Sequence, residues 1–305
     1  MRGERGGFRR SLSAVALAAG LLVASSSVSA QDGSVDPIDC SESLGLVQMF
    51  FGSTTATAKQ LLLDADAGSA DASNTYADFS PAWTISFDVP GDDDLTNLNG
   101  TSINPVDGKA YALVQSVADR NYLVRFDRDG DLEFLFEVTG ASTINNGAFD
   151  SQGRYYSAAT VSDTKVLQRW DNVDQLVGNA DPAAVAVQAP DATPFFGDNA
   201  ADITVITVGG VEYVVGVPTS TTNTLSVFNT ETLTRTAFDA SSSLNRTGGT
   251  GLPSNGYGAA WTFAGTAYFS QNNGEGLWSL SPDDIDVGAA TATLRQVLQL
   301  SLIHI

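Results

Sequence analysis

The chain is poor in the residues from which most catalytic sites are built. Its 305 residues include one cysteine (Cys40), one histidine (His304) and three lysines, with 15 basic residues in all against 35 acidic ones. If His304 is not native, no histidine remains for a Ser-His-Asp or Cys-His pair or an imidazole metal site, and the usual nucleophilic hydrolases and zinc enzymes are excluded. No glycine-rich phosphate loop precedes a helix, and no amphipathic helix of useful length is legible. A formal charge of −20 repels phosphate backbones and anionic lipid headgroups, so nucleic acid and charge-driven membrane docking are poor partners and cations are natural ones.

What is present begins with an export signal. Arg2, Arg5, Arg9 and Arg10 form a basic stretch, Leu12 to Ala24 an apolar run, and Val28-Ser29-Ala30 a small-residue cleavage site ahead of Gln31. The apolar run has thirteen residues, short of the roughly 20 needed to cross a bilayer. Residues 1–30 are therefore expected to be removed, leaving an extracytoplasmic protein, secreted or at the cell surface, with no integral membrane segment. The remaining chain carries 11 basic and 34 acidic residues, a formal charge of −23. Pro37, Ile38 and Asp39 are not the residues that precede a lipidated cysteine, so Cys40 reads as a free thiol, an intermolecular bridge or half of a pair.

Residues 300–305 (Leu300-Ser301-Leu302-Ile303-His304-Ile305) break with the rest of the composition and resemble a translated sequencing-library adapter. On that expectation His304 is not native, and the natural chain runs on past Gln299 with further repeats out of view.

Between these ends the sequence is a succession of short runs rich in Val, Thr, Phe and Tyr, separated by Gly, Asn, Asp and Ser. Many short strands are the expectation. Residues 31–43 read as an extended leader, and Asn179 to Val187 as a brief helical turn or irregular loop. A repeat is visible from residue 44 to 299. An asparagine and small residues lead into a strand, a glycine turn and a second strand bearing a tyrosine: Asn99-Gly100 with Tyr111, Asn146-Gly147 with Tyr156, Asn199 with Tyr213, and Asn255-Gly256 with Tyr268. The steps between these tyrosines are 45, 57 and 55 residues. A third run follows each one, Leu123 to Asp127, Val166 to Asp171, Leu225 to Asn229 and Leu277 to Ser281. Leu46 to Phe51, Ala58 to Leu63 and Trp83 to Phe87 supply a degenerate earlier unit. Units of about 50 residues are the size of propeller blades, whereas β-sandwich domains would repeat nearer 100. The expected fold is all-β and β-propeller-like, with about five visible blades.

The stretches Ile103-Asn104-Pro105-Val106-Asp107-Gly108-Lys109-Ala110-Tyr111, Leu123 to Gly130, Asn145 to Tyr156 and Gly258 to Phe263 resemble an uncharacterised propeller-like repeat domain of secreted bacterial, often actinobacterial, surface proteins. The resemblance implies a secreted location and a surface or binding context. It brings no known activity and no catalytic residues.

Three sets of residues are candidates for chemistry. Asp127, Asp129 and Asp131 place carboxylates at alternate positions around Gly130, as calcium loops do, though Val138 stands where an EF-hand loop would need its last acid. The same residues suit a hairpin turn between strands ending at Phe126 and starting at Leu132. The repeat-phased Asn99, Asn146, Asn199 and Asn255 would meet around one rim of a propeller, where amide oxygens bind a cation or a sugar; their other role is to punctuate turns. Acidic loops at Asp92-Asp93-Asp94 and Asp283-Asp284 with Asp286 read as solvated surface. Trp83, Trp170, Trp261 and Trp278 lie at strand phase and read as core. The functional expectation is a secreted or surface-associated, non-enzymatic propeller module, stabilised by calcium, that binds a protein or carbohydrate partner. The alternative is a calcium- or carboxylate-dependent hydrolase or lyase on the same scaffold.

Overall fold

The computed structural model describes residues 35–38, 46–51, 55–62, 75–86, 95–116, 120–138, 143–144, 146–161, 164–176, 185–186, 200–218, 223–244, 251–252, 257–271 and 276–298. They form five sheets that follow one another along the chain. Sheet 1 holds β1 (Leu46–Phe51), β2 (Thr55–Leu62) and β3 (Thr75–Ser86). Sheet 2 holds β4 (Leu95–Ile103), β5 (Ala110–Ser116), β6 (Asn121–Phe126) and β7 (Leu132–Val138). In sheet 3, β8 (Thr143–Ile144) and β9 (Ala148–Phe149) both pair with β10 (Tyr155–Val161), followed by β11 (Thr164–Trp170) and β12 (Val185–Ala186). Sheet 4 holds β13 (Ala200–Val208), β14 (Val211–Pro218), β15 (Thr224–Asn229) and β16 (Thr234–Asp239). Sheet 5 holds β17 (Tyr257–Phe263), β18 (Thr266–Gln271), β19 (Gly276–Leu280) and, returning to its edge, β22 (Arg295–Leu298). A small hairpin, β20 (Ile285–Asp286) and β21 (Thr291–Ala292), leaves sheet 5 and pairs in parallel with β16 of sheet 4.

Within each sheet successive strands pair antiparallel, several of them across short turns. Gly209 and Gly210, both at positive φ, make the two-residue turn between β13 and β14, the geometry whose twist matches a hairpin. Successive side chains of a strand point to opposite faces, and in β5 and β10 both faces are buried. On β5, Ala110, Ala112 and Val114 enter a cluster with Ala56, Ala58, Trp83 and Ile85 of sheet 1, while Tyr111 and Leu113 enter one with Phe149, Tyr155 and Trp170 of sheet 3. On β10, Tyr156 and Ala158 turn the other way, to Ile203, Val205, Val214 and Phe228 of sheet 4. The opposite side of sheet 4, with Ile206, Tyr213, Val215 and Val217, packs on Tyr257, Phe269 and Trp278 of sheet 5. Each fully buried aliphatic or aromatic side chain contributes about 1.5–3 kcal/mol. Four such cores, each shared by consecutive sheets, make the architecture a β-propeller. The first strands of successive sheets adjoin: β4 meets β9, β9 meets β13, and β13 meets β17.

The expected turn and strand borders at Phe126 and Leu132 coincide with β6 and β7. The repeat tyrosines Tyr111, Tyr156, Tyr213 and Tyr268 all sit on the second main strand of their sheets. Short helical turns lie at Val173–Gln175 and Pro282–Asp284, so the first falls just before the segment 179–187 in which one was expected, and that segment contributes β12. Residues 35–38 of the leader form no strand or helix but are packed: Val35 and Ile38 are buried, and the Ile38 N–H donates to the Gly108 carbonyl at 2.8 Å. Residues 1–30 and 300–305 lie outside the described residues.

Candidate functional site

The adjoining first strands come together on backbone rather than on long side chains. Gly100 and Gly147, the glycines of two Asn-Gly repeats, meet at the sheet 2 to sheet 3 junction. The Tyr155 hydroxyl reaches past Gly147 and donates to the Gly100 carbonyl at 2.8 Å. A Cβ on Gly147 would stand 1.8 Å from that hydroxyl and 2.9 Å from the Gly100 oxygen. Gly100 itself has φ 62°, a conformation that favours glycine. Burial pushes the Tyr155 phenol well above its ordinary range, so it stays a donor. Here the repeat spacing reflects a close approach of two chains.

The asparagines at this phase do not share one role. Asn146 is buried; its Oδ1 accepts the Ala158 N–H at 2.8 Å, and its carbonyl accepts the Ser157 hydroxyl at 2.7 Å. It braces its own sheet. Asn99 is half-buried on β4. Asn199 and Asn255 lie outside the described residues, so no ring of four amides is brought together by the described ones.

Asp127, Asp129 and Asp131 share one hairpin turn. Asp127 is 3% exposed. Its Oδ1 accepts the backbone N–H groups of Asp129 and Asp131, both at 3.0 Å, and its Oδ2 accepts the Asp36 N–H at 2.9 Å. Its carbonyl accepts Trp83 Nε1 at 2.8 Å, tying sheets 1 and 2. Asp129 is exposed and Asp131 half-buried. The carboxylate of Asp127 thus serves backbone donors, as expected for an aspartate heading a turn. No group of three acidic, cysteine or histidine side chains poised for a metal occurs among the described residues.

A second such aspartate heads the turn before β10. Asp150 Oδ1 accepts the N–H groups of Gln152 and Arg154 at 3.0 Å each, while Oδ2 pairs with Arg154 Nε at 2.5 Å and accepts the Tyr156 hydroxyl at 3.0 Å. Burial, and then the Asp150 charge, raise the pKa of Tyr156. Next to it, Ser151 donates its N–H and hydroxyl to the two carboxylate oxygens of Glu212, 2.9 Å each, linking sheets 3 and 4.

The accessible side chains of the first strands include the amides, hydroxyls and small residues Asn97, Asn99, Thr101, Gly258 and Thr262, beside the exposed apolar Ile103 and Phe263. Across the sheet 4 to sheet 5 junction, Thr204 and Thr262 hydroxyls lie 2.8 Å apart, and Thr262 donates to the Val205 carbonyl at 2.6 Å. One ionisable group joins them on β13. Asp202 is half-buried by exposure yet enclosed by protein, and desolvation pushes its carboxyl up to about 7. Nothing in the motif search singled it out. Its signal was a lone acid within Ala200-Ala201-Asp202-Ile203-Thr204-Val205-Ile206, where a charge inside an apolar run has no obvious solvent.

The tryptophans divide. Trp83, Trp170 and Trp278 are buried as expected of core residues. Trp261 is half-buried and stacks on Tyr268, so it departs from that expectation.

The architecture and its Asn-Gly spacing have a counterpart among known sequences: residues 68–294 match a family model described as a repeat of unknown function, DUF6923. The chain belongs to this family. No curated protein matches the DUF6923 chain at a significant level. Its structure is similar to that of a chain in a nidogen/laminin complex, at 12% identity and TM-score 0.44 over 83% of this chain and 99% of the other. It is also similar to the major allergen Mala s 1 of Malassezia sympodialis, at 11% identity and TM-score 0.46 over 85% and 82%. A third similarity is to virginiamycin B lyase from Staphylococcus aureus, at 10% identity and TM-score 0.41 over 85% and 76%.

Proposed function

We propose that this DUF6923 propeller is exported and works by binding, without catalysis of its own, a protein or carbohydrate partner outside the cytoplasmic membrane, with calcium held at its acidic loops. The reading rests on the chemistry of the first strands. The accessible groups of these strands include amides, hydroxyls and small side chains, which hydrogen-bond a ligand without transferring protons, beside the exposed apolar Ile103 and Phe263. Carboxylate-driven glycoside cleavage uses two acids about 5–10 Å apart, and the described first strands supply the single Asp202. The signal-like residues 1–30 support export.

Asp202 also favours a second reading. A carboxyl raised to about 7 is matched to proton transfer near neutral pH, which is what a hydrolase or lyase of this scaffold would need. One experiment separates the two. The purified chain is presented, with calcium, to a panel of polysaccharides and to chromogenic glycosides and lactones. Retention on a polysaccharide without turnover supports the binding reading. Turnover that disappears in Asp202→Asn replaces it with the enzymatic one. Export is tested by expression in a bacterial host, where secreted protein should begin at Gln31; material that stays inside with Met1 retained would end that part of the proposal.

A further inference from the structure

Residues 35–38 are held in the manner of a bound peptide. They belong to no sheet, and they cross two turns at one end of sheet 2. The Asp36 N–H donates to Asp127 Oδ2 at 2.9 Å, in the turn between β6 and β7, and the Ile38 N–H to the Gly108 carbonyl at 2.8 Å, in the turn between β4 and β5. Val35 and Ile38 are 2% and 5% exposed, while Asp36 and Pro37 between them face solvent. Ile38 joins the core shared by sheets 1 and 2, in one cluster with Ala56, Trp83 and Ala110. The turns that receive the segment are built without it. Asp127 Oδ1 is bonded to N–H groups of its own turn and its carbonyl to Trp83 Nε1, which leaves Oδ2 for the incoming N–H. The Gly108 N–H closes its own turn on the Asn104 carbonyl.

The segment has a counterpart within the repeat. Val35-Asp36-Pro37-Ile38-Asp39 matches Ile103-Asn104-Pro105-Val106-Asp107 in residue type, position by position. The second stretch opens the turn between β4 and β5 and lies against sheet 3. There Val106 stands over Gly153, whose Cβ would come 2.8 Å from its Cγ2, as Pro37 stands over Gly108, whose Cβ would come 3.1 Å from that of the proline. Gly108 and Gly153 belong to equivalent turns, each between the first strand of its sheet and the next. The leader therefore gives sheet 2 what the turn of sheet 2 gives sheet 3, but from a piece of chain outside any strand. We propose that the end of sheet 2 formed by the Asp127 and Gly108 turns is a peptide-binding site for segments reading apolar, Asp or Asn, Pro, apolar, filled in cis by residues 35–38.

A short tether keeps even a weak ligand in place. Seven residues join Ile38 to Leu46, and a linker of that length holds its end at an effective concentration of about 1 mM, so a site with a Kd of roughly 0.1 mM stays about nine-tenths filled. Proline also limits what the segment loses on binding, because its φ is fixed beforehand. The test uses the full chain with a protease site placed between Asp39 and Leu46 and cut after folding, and a fluorescent peptide of residues 34–39. The peptide should bind the cut chain saturably and the uncut chain about tenfold or more weakly. A peptide of residues 102–107 should compete with it, and a 34–39 peptide carrying Ile38→Asp should bind about tenfold or more weakly. Should cutting melt the chain, Ile38→Ser in the uncut chain frees the site by another route and should take up the same peptide. A cut chain and an Ile38→Ser chain that both exclude the peptide overturn the proposal. So does equal binding by the uncut chain, an Ile38→Asp peptide that binds like the parent, or a 102–107 peptide that fails to compete.

Discussion

The Tyr155 hydroxyl donates to the carbonyl of Gly100, 55 residues earlier, across the junction of sheets 2 and 3. That bond is possible because Gly147 has no side chain: the phenol occupies the space where a Cβ would be. Two glycines of the repeated Asn-Gly pair, with Tyr155 one residue before the repeat tyrosine Tyr156, thus hold two first strands at backbone contact.

Gly147→Ala is expected to be among the most destabilising single-methyl changes in the chain. The new Cβ would press on both the Tyr155 hydroxyl and the Gly100 oxygen, with a cost of about 3 kcal/mol, the upper part of the range for overpacking. Tyr155→Phe, which only strands one carbonyl, should cost about 1 kcal/mol. Urea denaturation ranks the two; an alanine variant as stable as the phenylalanine one would contradict the packing.

Asp150 should behave as a structural acid. Removing it strands Arg154 and Tyr156 and leaves two turn N–H groups without their acceptor. Asp150→Ala is expected to lose about 3–5 kcal/mol, the range for breaking one side of a buried pair. Asp150→Asn keeps an oxygen for the turn and should lose less. Equal losses in the two variants would show that the Arg154 pair, not the turn, carries the effect.

Sheet count, strand order and the Asp127 turn were legible because they depend on local signals: two-residue periodicity, Asn, Asp and Gly at turns, and a spacing near 50 residues. The roles of particular polar side chains were not. Asn99 and Asn146 occupy the same phase of the repeat, yet Asn146 turns inward to the Ala158 N–H of its own sheet while Asn99 stays half-accessible, a difference the repeat pattern does not carry. Trp261 and Trp278 likewise look alike in their strands. One is half-buried in a cluster of sheet 5 residues and the other is fully buried against sheet 4, which depends on what lies across the sheet.

Calcium at the 127–131 turn makes a separable prediction. Since Asp127 already accepts three backbone N–H groups, Asp127→Ala should lower stability by about 2 kcal/mol whether or not a chelator is present. A calcium contribution at this turn would have to come through Asp129 and Asp131, whose replacement by asparagine should remove the chelator-sensitive part of the melt. If chelator leaves the wild-type midpoint unmoved, calcium stabilisation is ruled out under those conditions.

Asp202 gives a pH dependence of definite sign. Its carboxyl is raised from 3.8 to about 7 by desolvation. Between those values the folded protein holds a proton that the unfolded chain has released, so the group's contribution is intact at low pH and declines as pH rises through the window. The slope is about 1.4 kcal/mol per pH unit at most, and less to the extent that water reaches the half-buried side chain. Asn cannot ionise, so Asp202→Asn should lack this slope: wild type and variant should differ by a constant below pH 4, and the variant should gain on wild type up to neutrality. Urea denaturation at a series of pH values, taken as the difference between the two proteins, cancels the other acids. A difference that does not change with pH would mean that Asp202 is solvated and ionises normally, which would also remove the ground for giving it a proton-transfer role.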